Sequence, residues 1–204
     1  MNIRPQHTLL TSVAALALIG CSAQEEERSL HDLTTDSGTH VDYDPVDSKA
    51  TVDDRAAGAA LVRLTGVQPG HQRTILGEVR YEFASLTAEV VEPLHGPGQA
   101  GDVVHLEMIR PEGADLDDLR AALPDGEVVA VWSQWTGDST EDASLSLPDG
   151  GVADDPAKFL FPDGLWYQDS GELENPMVAG EEPGSPWAGA EDVAGVARSV
   201  RDGG

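Results

Sequence analysis

Cysteine is almost absent from this chain of 204 residues, where Cys21 stands alone. A lone thiol excludes a disulfide within the chain, so the folded body must rest on its hydrophobic core. Basic residues are scarce too, 12 against 37 acidic ones, for a formal net charge of −25. Affinity for phosphate backbones and anionic lipid surfaces comes from Lys and Arg. Nucleic acid is therefore excluded as a partner, and the acidity reads as a solubility or background adaptation rather than a cation store. No apolar run reaches the roughly 20 residues needed to span a bilayer.

Catalytic signatures are missing as well. The stretch "PGSPWAG" puts Pro186 directly after Ser185 and lacks the spacing of a nucleophile elbow. There is no His-Glu-x-x-His, no P-loop and no dinucleotide fingerprint. The sequence thus assigns no catalytic residue, no metal ligand and no cofactor.

What is present begins at the N-terminus. Residues 1–7 are polar and carry Arg4, residues 8–19 are apolar or small, and Gly20 precedes Cys21. This three-zone layout is that of an export signal. Leu18-Ile19-Gly20-Cys21, directly after the apolar run and before the acidic "SAQEEE", resembles the lipobox of bacterial lipoproteins. The resemblance implies cleavage between Gly20 and Cys21 and fatty acylation of Cys21 through its sulfur. The alternative is an ordinary secretory signal with an incidental cysteine, which would leave an exported free thiol open to oxidation. Two or three acyl chains, at about 0.8 kcal/mol per buried methylene, would hold the protein stably on the membrane. Loss of Arg4 with the signal leaves 11 basic against 37 acidic residues, a net charge of −26.

Residues 21–55 are polar, acidic and without apolar period, the composition of a disordered tether. A β domain is expected over 56–175, and a loop with a C-terminal helix over 176–204. "AALVRLTGV" reads as a strand closed by a turn at "QPGHQR", followed by "ILGEVRYEFASLTAEVVEPL", long enough for one strand bent near Ser85 or for two, a turn at "HGPGQAGD" and the strand "VVHLEMI". "ADLDDLRAAL" reads as a helix capped by Asp115, and "EVVAVWSQW" as a strand. "KFLFPDGLWYQD" reads as a hairpin turning at Pro162-Asp163-Gly164. Ser185-Pro186 reads as the start of a helix anchored by Trp187. The expected fold is mainly β, a small antiparallel barrel or sandwich with one internal helix and one C-terminal helix. Its order of elements is similar to OB-like and netrin-like barrels, which implies a fold and no activity.

The remaining candidates are few. His71, His95 and His105 lie in the body, and His31 and His40 in the tether segment, without ligand spacing. The acids Asp42, Asp44 and Asp47, and Asp138, Glu141 and Asp142, lack the glycine and terminal Glu of a calcium loop. Trp132 and Trp135, and the adjacent Trp166 and Tyr167, should each split between the two faces of the sheet, one of each pair in the core. The others lie under the C-terminal helix or, failing that, form an exposed ligand platform, for which Trp135, Trp166 and Tyr167 are the candidates. The expected function is a lipid-anchored binding or interaction module on the extracytoplasmic face of the cell membrane, with an envelope protein or carbohydrate as partner. The alternative is an envelope hydrolase using carboxylates at a barrel mouth, Glu78, Glu82 or Glu107.

Overall fold

In a computed structural model of the chain, residues 28–36, 44–136, 143–176, 187 and 190–203 are described. The signal segment with Gly20 and Cys21, together with His40, Asp42, Asp138, Glu141, Asp142, Ser185 and Pro186, lies outside them. In chain order the elements are α1 (Leu30–Asp36), α2 (Lys49–Arg55), β1 (Gly58–Ile75), β2 (Glu78–His95), β3 (Val103–Ile109) and α3 (Leu116–Ala121). They continue with β4 (Glu127–Gln134), β5 (Ala143–Ser146), β6 (Lys158–Asp169), β7 (Glu172–Glu174) and α4 (Val193–Asp202).

Five of these strands close a ring in the order β1-β2-β3-β6-β4-β1. All neighbours run antiparallel except β3 and β6, which are parallel. Closure leaves the ring without an open edge. With α3 between β3 and β4, this is the OB-like barrel expected from the sequence.

Alternation fills the barrel. Ala60, Val62 and Leu64 of β1 point inward with Ala84, Leu86 and Ala88 of β2, and with Leu106 and Met108 of β3. β4 buries five consecutive residues, Val128 to Trp132, because both its faces are covered. Val128, Ala130 and Trp132 join the interior, while Val129 and Val131 pack outward against Val52 of α2 and Val196 and Val200 of α4. Asp115 caps α3 in a reciprocal box with Asp118, and that helix sends the fully buried Leu119 into the interior.

Four expectations are corrected. "QPGHQR" is not a turn, since β1 runs through it as one bent strand. The hairpin turn lies at Leu76-Gly77, with φ of 54° and 81°, a left-handed pair suited to a two-residue loop. Pro162-Asp163-Gly164 is not a hairpin either. Pairing with β4 passes from Trp132↔Leu160 to Ala130↔Leu165, so β6 bulges outward and then resumes on the same partner. The reversal comes at Ser170-Gly171, which joins β6 to β7.

The segment 21–55 is not wholly a tether. α1 inserts Leu30 and Leu33 into the barrel core, and Val46 and Val52 pack on the outer face. Two apolar residues three apart suffice to dock a seven-residue helix when a barrel end is open to receive them. The last helix begins at Val193, and residues 190–192 before it are not helical, so the helix expected from Ser185, itself outside the described residues, does not run through. Asp192 caps the observed helix, accepting from the Gly195 N–H at 2.7 Å. Trp187 is buried against the outer cluster but precedes that helix.

Candidate binding site

Side chains at alternate positions on β3 point away from the barrel interior, so Glu107 sits on the outer face between inward Leu106 and Met108. Register places Ser85 of β2 beside it on one flank and Phe159 of β6 on the other, with Ser133 of β4 beyond. An acid on an outer strand face is ordinarily solvated, yet Glu107 is only 1% exposed.

The cover comes from the far half of β1. Between the pairs Pro69↔Ala84 and Gln72↔Glu82, β1 carries one residue more than β2, a bulge at Gly70-His71. The bulge lays His71 on the carboxylate. Its Nδ1 lies 3.0 Å from Oε1 of Glu107, and its backbone N–H donates to Oε2 at 3.1 Å. Glycine is required next to it, because a Cβ on Gly70 would stand 2.1 Å from Oε2 and 3.0 Å from the Phe83 carbonyl oxygen.

Burial pushes the Glu107 carboxyl above its ordinary range, and the hydrogen bonds from His71 and the nearby charges of His71 and His105 partly oppose that rise. With Glu107 ionised, the proton of this pair sits on Nδ1 and leaves Nε2 of His71 as an acceptor. Nε2 makes no hydrogen bond among the described residues, and the side chain retains 15% exposure. Ser85 Oγ, Thr87 Oγ1 and His105 Nδ1 lie buried on this same outer face without a partner among the described residues. Such a group of orphans marks a polar layer that ordered water would satisfy.

Phe159 ties the dyad to an aromatic cluster. Its ring centroid is 4.8 Å from that of Phe83, edge-on, 5.9 Å from Trp135 and 6.4 Å from His71. The Arg73 guanidinium stands 5.6 Å from the Trp135 ring centroid and 5.9 Å from that of Tyr81. His71 and Trp135 then face an open pocket of about 470 Å³, lined also by Thr136, Leu145, Leu147 and residues 153–157. The loop that forms its far wall is pinned at several points. Val152 N–H donates to the Pro69 carbonyl at 3.1 Å, and Trp135 N–H to that of Ala157 at 2.9 Å. Asp154 accepts from the His105 backbone N–H at 3.2 Å and pairs with Lys158.

The three platform aromatics expected from the sequence do not come together. Trp135 is half-buried at the pocket. Trp166 is 5% exposed, within the outer cluster, and its Nε1 donates to the Asp163 carbonyl oxygen at 2.7 Å. Tyr167 is 2% exposed inside the barrel, where its hydroxyl accepts from the His31 N–H at 3.1 Å. Burial raises its pKa, with the negative charge of Glu174 adding to the effect.

Nor do the three carboxylates converge. Glu78 is exposed and pairs with Arg80 at 2.9 Å, and Glu82 pairs with Arg110, so of the three only Glu107 touches a residue of the pocket, His71. His95 pairs with Asp53 at 3.3 Å, away from His71. Among the described residues no group of three or more His, Cys, Asp or Glu side chains is arranged to hold a metal ion. The sequence names His71 and Glu107 separately, and their link was missed. The signal available was a lone acid between two inward apolar residues, which alternation alone assigns to solvent.

Fold and site together define a small closed β-barrel with a ligand-sized pocket on its outer face. No protein-family profile, no characterised protein sequence and no solved structure matches the chain.

Proposed function

We propose that the chain is a lipid-anchored extracytoplasmic binding protein whose barrel holds a small ligand in the pocket between His71 and Trp135. The observation that supports the binding half is the pocket itself. A cavity of about 470 Å³ falls in the range of small-molecule sites. It has an aromatic wall and an imidazole oriented by a buried carboxylate. Buried acids with raised pKa values in clefts are enriched at functional sites.

The anchoring half rests on Leu18-Ile19-Gly20-Cys21. No helix among the described residues is long and apolar enough to cross a membrane. Eight residues, 22–29, separate Cys21 from the buried Leu30. Fully extended, they reach at most about 30 Å, so acylation at Cys21 would keep the barrel close to the bilayer.

Two measurements test this reading. Cys21→Ser is expected to leave the membrane fraction or to accumulate as uncut precursor; normal partitioning of a mature form would refute the anchor. Thermal-shift screening of the detergent-solubilised protein against small polar compounds is expected to give stabilisation that Trp135→Ala abolishes. No response from any compound would refute the pocket as a ligand site.

A second reading, an envelope hydrolase, is favoured by the Glu107–His71 contact alone. A carboxylate on Nδ1 prepares Nε2 for general-base work. It requires turnover that His71→Ala eliminates.

A further inference from the structure

We propose that the pocket beside Trp135 takes a neutral, hydroxyl-rich ring, chemically a saccharide, with His71 Nε2 accepting a hydrogen bond from one hydroxyl and Glu107 acting as the positioning residue. This rests on the reading of the pocket as a ligand site and adds the chemistry of its occupant.

Charge removes the other classes. Anions meet a chain of net charge −25 and the carboxylates of Asp154 and Asp155 in the pocket wall. The cations near the wall are engaged, Lys158 with Asp154 and Arg73 over the rings of Trp135 and Tyr81. Cationic ligands fare no better, since the guanidinium of Arg73 already stands 5.6 Å from the Trp135 ring. A second cation on that indole would replace an existing cation–π contact or face its charge.

The polar and apolar surfaces then select the shape. His71 Nε2, the Thr136 hydroxyl and the exposed Asp155 carboxylate are acceptors, and a ring bearing several O–H donors complements them. Trp135, Leu145 and Leu147 supply an apolar wall for the C–H face that a sugar ring turns away from its hydroxyls. Glu107 reaches no ligand. Its two contacts to His71 hold the ring orientation and place the proton on Nδ1, so the pocket sees an acceptor.

The test is calorimetric titration of the detergent-solubilised full chain with three kinds of probe: neutral mono- and disaccharides, choline, and inorganic phosphate. Saturable saccharide binding is expected, weakened at least tenfold by Trp135→Ala and several-fold by Trp135→Phe. Glu107→Gln is expected to weaken it too, and to move the His71 proton to Nε2 in ¹⁵N-detected NMR, a shift that a merely structural role would not produce. Saccharide binding indifferent to Trp135→Ala would overturn the proposal. So would Trp135-dependent binding of choline or phosphate in place of saccharide, although the pocket would then stand as a ligand site. Silence of every probe would remove the pocket reading along with this one.

Discussion

Glu107 and His71 are joined twice, carboxylate to ring nitrogen at 3.0 Å and carboxylate to backbone N–H at 3.1 Å, across strands that are not neighbours in the barrel. The carboxyl is buried and its pKa is raised, so the folded state holds the proton more tightly than the unfolded chain does. Its contribution to stability is complete below the unfolded value and is lost as pH rises through the folded one. Glu107→Gln keeps the volume and removes the titration. Denaturant midpoints of the variant are expected to fall less than those of wild type between pH 4 and 8.

Gly70 makes that contact sterically possible. Gly70→Ala puts a methyl 2.1 Å from a carboxylate oxygen that His71 holds in place, and 3.0 Å from backbone at Phe83. Overpacking of this kind costs about 2–3 kcal/mol. Urea unfolding should show that loss, and the double variant Gly70→Ala/Glu107→Ala should lose less than the sum of its parts.

Asp163 is the second buried acid. It sits on the β6 bulge, 1% exposed, and accepts from the Val46 N–H at 2.6 Å. Burial pushes its carboxyl up to about 6, an effect to which Asp47 adds and which Arg55 opposes. The protonated form is the one the fold prefers, so this stabilisation holds below the unfolded value near 3.8 and disappears as pH climbs past 6. Its full size is on the order of 3 kcal/mol. Asp163→Asn keeps an acceptor for Val46. It is expected to flatten the fall in melting temperature between pH 4 and 7 and to exceed wild type in stability at neutral pH.

Leu30 is fully buried in the barrel core although it precedes the first strand by some 28 residues. Leu30→Ala should cost about 2–5 kcal/mol, the range for a buried leucine cut to alanine. An unchanged denaturation midpoint would mean that α1 does not plug the barrel in solution.

Much of the barrel was legible because its causes are local. Period-two alternation marks β3 and the start of β1, the uninterrupted apolar run of β4 marks a strand covered on both sides, and Asp115 writes the start of α3 in its own side chain. The two misread turns share one cause. Gly and Pro permit both a reversal and a bulge, and only a partner strand decides between them. At "PDG" that partner is β4, which pairs with β6 on both sides of the interruption. Leu30 and Leu33 looked like stray apolar residues in an acidic segment because nothing nearby says that a barrel end awaits them. The site was half visible: Trp135 was singled out and His71 and Glu107 were named apart, whereas Trp166 and Tyr167 went to different cores.

By itself the sequence determined a disulfide-free, acidic, mainly β chain, because composition and short-range period act within a few residues. Only the tertiary structure decided that a glutamate on an outer strand face would be buried. The reason is that its burial depends on a one-residue bulge some 36 positions away folding back over it. Solvent exclusion of that kind is a property of what covers a residue, which the residue's own neighbours in sequence do not encode.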